Sequence, residues 1–336
     1  MRKLYAARLA IEQELGSKRV LRTKRVLNKT DIAVLVVDGT KGMDDFDTEL
    51  LALFREKEIP HLVVFNKADR MPSRPEGVLC VSAQTGEGIE TLKNRLGALA
   101  PKEDGRKLLA DLVCADALVV LVTPIDESAP KGRMILPQVQ AIRDTLDADA
   151  ACIVVKETQL SALLTSLGRT PDLVVTDSQV FGLVSRIVPP EIPLTSFSIL
   201  MARCKGFLET AVRGAVRLKT LKDGDRVLIS EGCTHHRQCN DIGTVKLPGW
   251  LTRYTGAQLT FETSSGTGFP EDLSGFAAIV HCGCMLSARE MRYRMKCALD
   301  QNIPFTNYGV AIACMNGILP RSLAPFPALL RLLDET

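Results

Sequence analysis

Aromatic residues are scarce in this chain, at 5% with a single tryptophan, and no Arg/Lys run is interleaved with them. That excludes a stacking platform for nucleic acid. Charge of one sign is scarce too: 42 basic residues meet 39 acidic ones, for a net +3. So small an imbalance draws the chain neither to a polyanion nor to a membrane surface. No apolar run approaches the roughly 20 residues of a spanning helix. The first ten residues are cationic with no apolar core after them. No secretory signal reads there, and a cytoplasmic location is expected. No segment reads G-x-x-x-x-G-K-[ST], the phosphate-cradling loop of nucleotide-binding proteins. The ten cysteines suit a disulfide scaffold only in a far shorter chain. Cys80, Cys114, Cys152 and Cys314 lie in apolar stretches and are expected to be packing residues. Cys204, Cys233, Cys239, Cys282, Cys284 and Cys297 remain as candidates for chemistry.

What is present is 336 residues, 46% hydrophobic, enough for two or three domains with sizeable cores. Residues 1–30 are basic with a helical pattern. Ile32-Ala33-Val34-Leu35-Val36-Val37-Asp38 is then a continuous apolar run, typical of a buried parallel strand. A helix is expected over about Asp45–Glu58, with further strands at His61–Phe65 and Val78–Val81. This alternation predicts a doubly wound parallel sheet.

Asn66-Lys67-Ala68-Asp69 directly follows the second of those strands. A carboxylate there accepts both N–H groups on one edge of guanine, an asparagine braces the loop, and a lysine stem covers the base. Ser82-Ala83, after the next strand, offers a backbone N–H to the guanine oxygen. The competing explanation is a polar turn with Asp69 as a helix N-cap. The pattern resembles the second half of a small GTPase domain. The expected class is therefore α/β, with a partial P-loop GTPase-type parallel sheet over residues 1–100. Those residues also contain no Asp-x-x-Gly switch segment. GTP hydrolysis needs a lysine and backbone N–H groups around the phosphates, and a Ser/Thr for Mg²⁺. This chain is expected to read guanine without using Mg²⁺ or hydrolysing GTP, and no catalytic residue is assigned. A chain that begins late is the expected explanation, ahead of a decayed domain. Ile32–Val37 is expected to expose an unpaired apolar edge, so that residues 1–100 alone fold poorly.

Pro101-Lys102-Glu103-Asp104-Gly105 reads as a linker. Beyond it, Ala117–Val122, Cys152–Val155 and Leu173–Val175 read as strands, alternating with helices over Leu136–Leu146 and Leu160–Leu167. This small α/β unit, residues 106–185, carries no catalytic constellation. Asp126, Glu127, Lys131 and Arg133 read as a solvated loop. So small a unit buries little by itself, which predicts self-association, most simply as a homodimer.

Pro189-Pro190 and Pro193 mark the start of a third unit, residues 186–336. Helices are expected over Phe207–Leu221 and Ala288–Leu299, and a strand at Leu259–Thr263. Trp250 falls in a stretch that reads as irregular. Arg226–Ser230 reads as a strand and leads into Cys233-Thr234-His235. Phe276–Val280 likewise leads into His281-Cys282-Gly283-Cys284. Both loops thus follow the carboxyl ends of strands, where open α/β sheets bind ligands. A helix N-terminus beside the second loop favours an anionic thiolate cluster. Structural zinc takes four ligands, commonly from Cys-x₂₋₄-Cys knuckles, and these loops have other spacings. Three thiolates suit three irons of a [4Fe–4S] cube. Residue chemistry alone leaves an iron–sulfur cluster, zinc and no metal all open. His236 reads as solvent-facing, and Cys204, Cys239 and Cys297 as reserve thiols.

Several stretches resemble the HydF family, the GTPases that mature the active-site cluster of [FeFe]-hydrogenase. They are Lys29–Asp38, Val122-Thr123-Pro124-Ile125-Asp126, Pro130-Lys131-Gly132-Arg133, Cys233-Thr234-His235-His236 and Thr306–Ala313. The resemblance spans residues 20–99 and 110–336. It implies three domains: a GTPase part, an α/β dimerisation domain and an α/β cluster-binding domain. It also implies a [4Fe–4S] cluster at Cys233, Cys282 and Cys284, with His235 and His281 as ligands or partners of a labile iron. The implied role is a scaffold that carries a two-iron precursor, made with radical-SAM maturases, to apo-hydrogenase. GTP turnover is then regulatory. The family spaces its second motif His-Cys-x-x-Cys, whereas here one residue separates Cys282 from Cys284. The rival expectations are a GTP-hydrolysing regulatory enzyme and a zinc-stabilised interaction protein.

Overall fold

The apolar run at residue 32 becomes a strand because period-two alternation sends its side chains into two cores. Ala33, Leu35 and Val37 pack on Leu50 and Phe54 of the helix Asp45–Glu56. Val34 faces the other way, onto Val64, Leu79 and Val81. The helix starts at Asp44, whose carboxylate accepts from Asp47 N at 2.8 Å while Asp47 reaches back to Asp44 N. Such a capping box satisfies donors that a helix start otherwise leaves orphaned.

The computed structural model describes residues 5–6, 26–27, 30–99, 106–125, 134–232, 242–266, 268–283 and 286–333 of the 336. They form two units, residues 1–105 and 106–336. The first unit holds one parallel sheet of β1 (Tyr5–Ala6), β2 (Ala33–Asp38), β3 (His61–Asn66) and β4 (Leu79–Cys80), in that order. Two expectations are corrected here. Tyr5–Ala6 is strand rather than helix, and it pairs with Ala33-Val34, covering the start of the edge expected to lie open. β4 ends early because Val81, whose N–H still donates to Phe65 O at 2.8 Å, turns its carbonyl to Ala68 N at 3.0 Å, beyond the end of β3.

The second unit holds two four-stranded parallel sheets. One comprises β5 (Leu118–Val122), β6 (Ala151–Val155), β7 (Leu173–Thr176) and β8 (Leu194–Ser196), ordered β6-β5-β7-β8. The other comprises β9 (Arg226–Glu231), β10 (Thr260–Ser265), β11 (Ala278–Cys282) and β12 (Phe305–Asn307), ordered β10-β9-β11-β12. β8 lies beyond Pro189-Pro190, so the second sheet extends past residue 185. Trp250, expected in an irregular stretch, sits in the helix Leu247–Thr255, where Pro248 occupies the first turn that tolerates it. The helix expected over Phe207–Leu221 is α-helical at Leu208–Arg217 and tightens to a 3₁₀ turn at Leu218–Thr220. Among the described residues no helix is long and apolar enough to cross a membrane.

The two sheets share one topology, second-first-third-fourth in chain order. Their last strands share a sequence pattern as well: Pro193-Leu194-Thr195-Ser196-Phe197-Ser198 matches Pro304-Phe305-Thr306-Asn307-Tyr308-Gly309. Ser196 caps the helix Phe197–Cys204 by accepting from Ile199 N, and Asn307 caps Tyr308–Met315 by accepting from Val310 N. The matching positions Ser198 and Gly309 touch each other. A Cβ at Gly309 would lie 2.2 Å from Ser198 Cβ. Contact between equivalent positions is what an isologous interface produces. The second unit is thus built from two copies of one plan, joined at these helix starts.

Candidate guanine and cluster sites

The guanine motif occupies the turn after β3. Lys67 takes a left-handed conformation, φ 68°, which costs a non-glycine residue energy and marks a constrained loop. Asn66 Oδ1 accepts from Lys67 N at 2.8 Å and from Ala83 N at 3.0 Å, tying the two loops together. Ala83 N–H, expected to reach guanine, thus braces the loop instead. Ser82 Oγ is buried and donates to Asp69 Oδ1 at 2.6 Å. That bond holds the Asp69 carboxyl below its usual range, so it is ionised near neutral pH. Asp69 faces Ser82, and no side-chain cap was found at the short helical turn Ala68–Arg70. Lys67 Nζ lies 2.6 Å from Asp38 Oδ2, and this bond, with one from Thr40, holds Asp38 well below its usual range. Gly39 is required here: a Cβ would sit 2.7 Å from the Asn66 carbonyl that its own N–H bonds.

In the third sheet the switch of strand order falls between β9 and β11. Doubly wound sheets bind ligands in the crevice at that point, outside the carboxyl ends of the strands. Cys282 ends β11 there, half-buried and in register with Glu231 of β9. Gly232 N donates to the Cys282 carbonyl at 2.9 Å, so Gly232 lies beside Cys282. Cys233, His235 and Cys284, together with His236, Cys239 and the Asp126 to Arg133 candidates, lie outside the described residues. Among the described residues no three metal-ligating side chains come together. Cys204 is structural, its thiol against the Arg106 carbonyl, and Cys297 packs on the third sheet's core.

His281 is fully buried between Phe269 and Phe305. Its Nε2 lies 2.9 Å from Arg294 Nη1. Arginine only donates, so Nε2 accepts and Nδ1 carries the ring proton. Burial, reinforced by the Arg294 charge, pushes the imidazole pKa well below its usual value, so the ring is neutral. A neutral histidine ligates through a free lone pair while its other nitrogen donates to an acceptor. Here the lone pair faces the guanidinium. Cys282 suits a thiolate ligand at this crevice, whereas His281 in this arrangement does not suit a metal.

Sequence reasoning missed the residues around His281. Arg294 is 2% exposed, held by Glu290 Oε1 at 2.5 Å and stacked over Phe269. Glu231 is buried beside Cys282 and accepts from Tyr308 Oη at 3.4 Å. Lys205 is buried and donates to the Gly283 carbonyl at 2.5 Å. Glu290 and Arg294, four apart on a helix, read in sequence as an ordinary surface pair. Only the tertiary fold buries them.

Comparison with known proteins divides the chain where the sheets do. Residues 108–206 match the hydrogen maturase F dimerization domain, and residues 209–325 match the hydrogen maturase F tetramerization domain. Residues 20–79 match the elongation factor Tu GTP binding domain. Among curated proteins, GTPase Der of Xanthomonas axonopodis pv. citri is 28% identical over 108 residues, 29% of this chain and 23% of that protein. The tRNA modification GTPase MnmE of Dichelobacter nodosus is 36% identical over 98 residues, 27% of this chain and 21% of that protein. The same GTPase from Hyphomonas neptunium is 30% identical over 93 residues, 27% of this chain and 19% of that protein. The chain thus spans about a fifth to a quarter of the length of these relatives.

Proposed function

The chain belongs to the hydrogen maturase F family, and on that premise we propose that it is a cluster-carrying scaffold in [FeFe]-hydrogenase maturation. Cys233, Cys282 and Cys284 hold a [4Fe–4S] cluster. When bound, that cluster supplies an iron with an exchangeable ligand, the anchor for a two-iron precursor. Radical-SAM maturases supply the precursor, and apo-hydrogenase receives it. The observation that supports this most is the position of Cys282 at the strand-order switch, with Gly232 beside it. His235 remains a candidate ligand in this proposal, while His281 serves as a neutral donor held by Arg294.

The chain carries a GTP binding domain and family oligomerisation domains. In the proposal, Asp69 reads guanine, with Asn66, Lys67, Ser82 and Ala83 shaping the loop around it. Self-association uses β6. This strand has no neighbour on its outer side among the described residues, its five residues are all apolar or cysteine, and Val154 is 43% exposed. An edge of that kind is a template for pairing with another copy.

The test is delivery. The full chain, reconstituted with iron and sulfide and charged by radical-SAM maturases, is expected to activate apo-hydrogenase, and its Cys282→Ser variant is expected not to. Equal activation by both proteins would count against the scaffold role.

A further inference from the structure

The turn after β3 sends two charged side chains to opposite neighbours in the sheet. Asp69 bonds Ser82, just past β4, while Lys67 reaches back to Asp38 at the end of β2. The left-handed backbone at Lys67 turns the chain between them.

Asp38 lies outside the guanine motif, and its own turn fixes it. It stands in register with Asn66 across β2 and β3. Its Oδ1 accepts from Thr40 N at 3.1 Å and from Thr40 Oγ1 at 2.7 Å. Its carbonyl accepts from Lys41 N and Gly42 N, and Gly39 N donates to the Asn66 carbonyl. With Oδ1 engaged in that turn, Oδ2 serves Lys67 Nζ at 2.6 Å.

The Lys67 side chain is 42% exposed, so this bridge contributes little to the stability of the fold. What it fixes is a conformation. A lysine stem has among the largest rotamer entropies of any side chain, and ordering it on binding weakens the binding. Tethered at its amine, the stem is ordered before a ligand arrives. The amine is neutralised by Asp38, so the methylenes are what the stem offers a ligand.

We propose that Asp38 is a positioning residue of the guanine site, holding the Lys67 stem as a pre-ordered apolar wall for the face of a purine. Asp69 meets the edge of the base. One acid thus sets affinity for purines in general, and the other selects guanine. The inference rests on the guanine reading of Asp69 and adds to it a residue from the neighbouring strand.

The test is isothermal titration of the full chain with guanosine and with inosine, which lacks only the 2-amino group. Asp38→Asn keeps an acceptor for Thr40 and loses the one for Lys67. It is expected to weaken both nucleosides by the same factor, about fivefold, the worth of one ordinary hydrogen bond. Lys67→Met keeps a straight stem without the tether and is expected to lose as much. The double variant is expected to lose no more than either single one, whereas a variant that merely loosened the turn would add to Lys67→Met. Asp69→Asn, by contrast, is expected to erase the preference for guanosine over inosine. Wild-type affinity in Asp38→Asn overturns the proposal and leaves the guanine reading in place. So does a further loss in the double variant, or a loss confined to guanosine. Absence of saturable guanosine binding by the wild type removes the guanine reading and the proposal with it.

Discussion

Replacing Arg294 by methionine removes a cation that is 2% exposed and bonded to Glu290, His281, Gly266 and Ser230. Glu290, 10% exposed at its side chain, loses the partner 2.5 Å from its carboxylate. His281 Nε2 loses its donor at 2.9 Å, and the Gly266 carbonyl loses another. The aliphatic bulk over Phe269 is largely kept by methionine, so the cost is electrostatic and not a cavity. Removing one member of a buried ion pair costs about 3–5 kcal/mol, because the other charge is left uncompensated. For a unit of this size that lowers the melting temperature by roughly 6–20 °C. Urea unfolding followed by Trp250 fluorescence reports on this unit, because the sole tryptophan lies within it. Removing both charges, Glu290→Leu with Arg294→Met, is expected to recover most of the loss. A single substitution costing under about 1 kcal/mol would refute the network. So would a double variant no better than the single.

Other outcomes follow from the same geometry. Val154→Asp places a charge on the exposed β6 edge and is expected to lower the chain's mass in solution, measured by light scattering; an unchanged mass would exclude that edge as the interface. The 336 residues carry no phosphate loop, so guanosine and GTP are expected to bind with similar affinity, and Asp69→Asn to weaken both roughly tenfold or more. Isothermal titration showing GTP far tighter than guanosine would contradict this. Burial and the Cys314 contact push Tyr254 up to about 12. Its folded value lies above the unfolded one, so its contribution to stability is complete below about pH 10 and lost as pH rises toward 12. The urea midpoint is expected to fall over that window, and Tyr254→Phe to flatten the fall.

The parts of the fold that were legible in the sequence are those where local pattern and tertiary burial agree. The run at residues 118–122 is apolar throughout because both faces are covered, and at residues 33–37 only Val36 is left exposed. The helix Leu136–Leu146 has the expected bounds, although its Leu136, Val139 and Leu146 are exposed and its buried face is Pro137, Gln138, Ala141 and Thr145. β8 was not legible: Leu194-Thr195-Ser196 is too short to show a period and lies among prolines. The helix around Trp250 was hidden because it is short and carries Pro248 and Gly249 in its first turn. In the site, adjacency made His281 and Cys282 look like paired ligands. The strand and Arg294 claim His281 for the core, and neither signal is local in sequence. The shared plan of the two sheets was equally hidden, because it shows in strand order and in one six-residue match and not in any period.

The central claim is a thiolate-held cluster at the β9–β11 switch. It is tested most directly by anaerobic reconstitution of the full chain with iron and sulfide, with metal and sulfide analysis and EPR of the reduced protein. The account predicts iron and sulfide in equal amounts, a reduced [4Fe–4S] signal, and loss of both in Cys282→Ser. Retention of zinc without sulfide, or a cluster unaffected by Cys282→Ser, would contradict it.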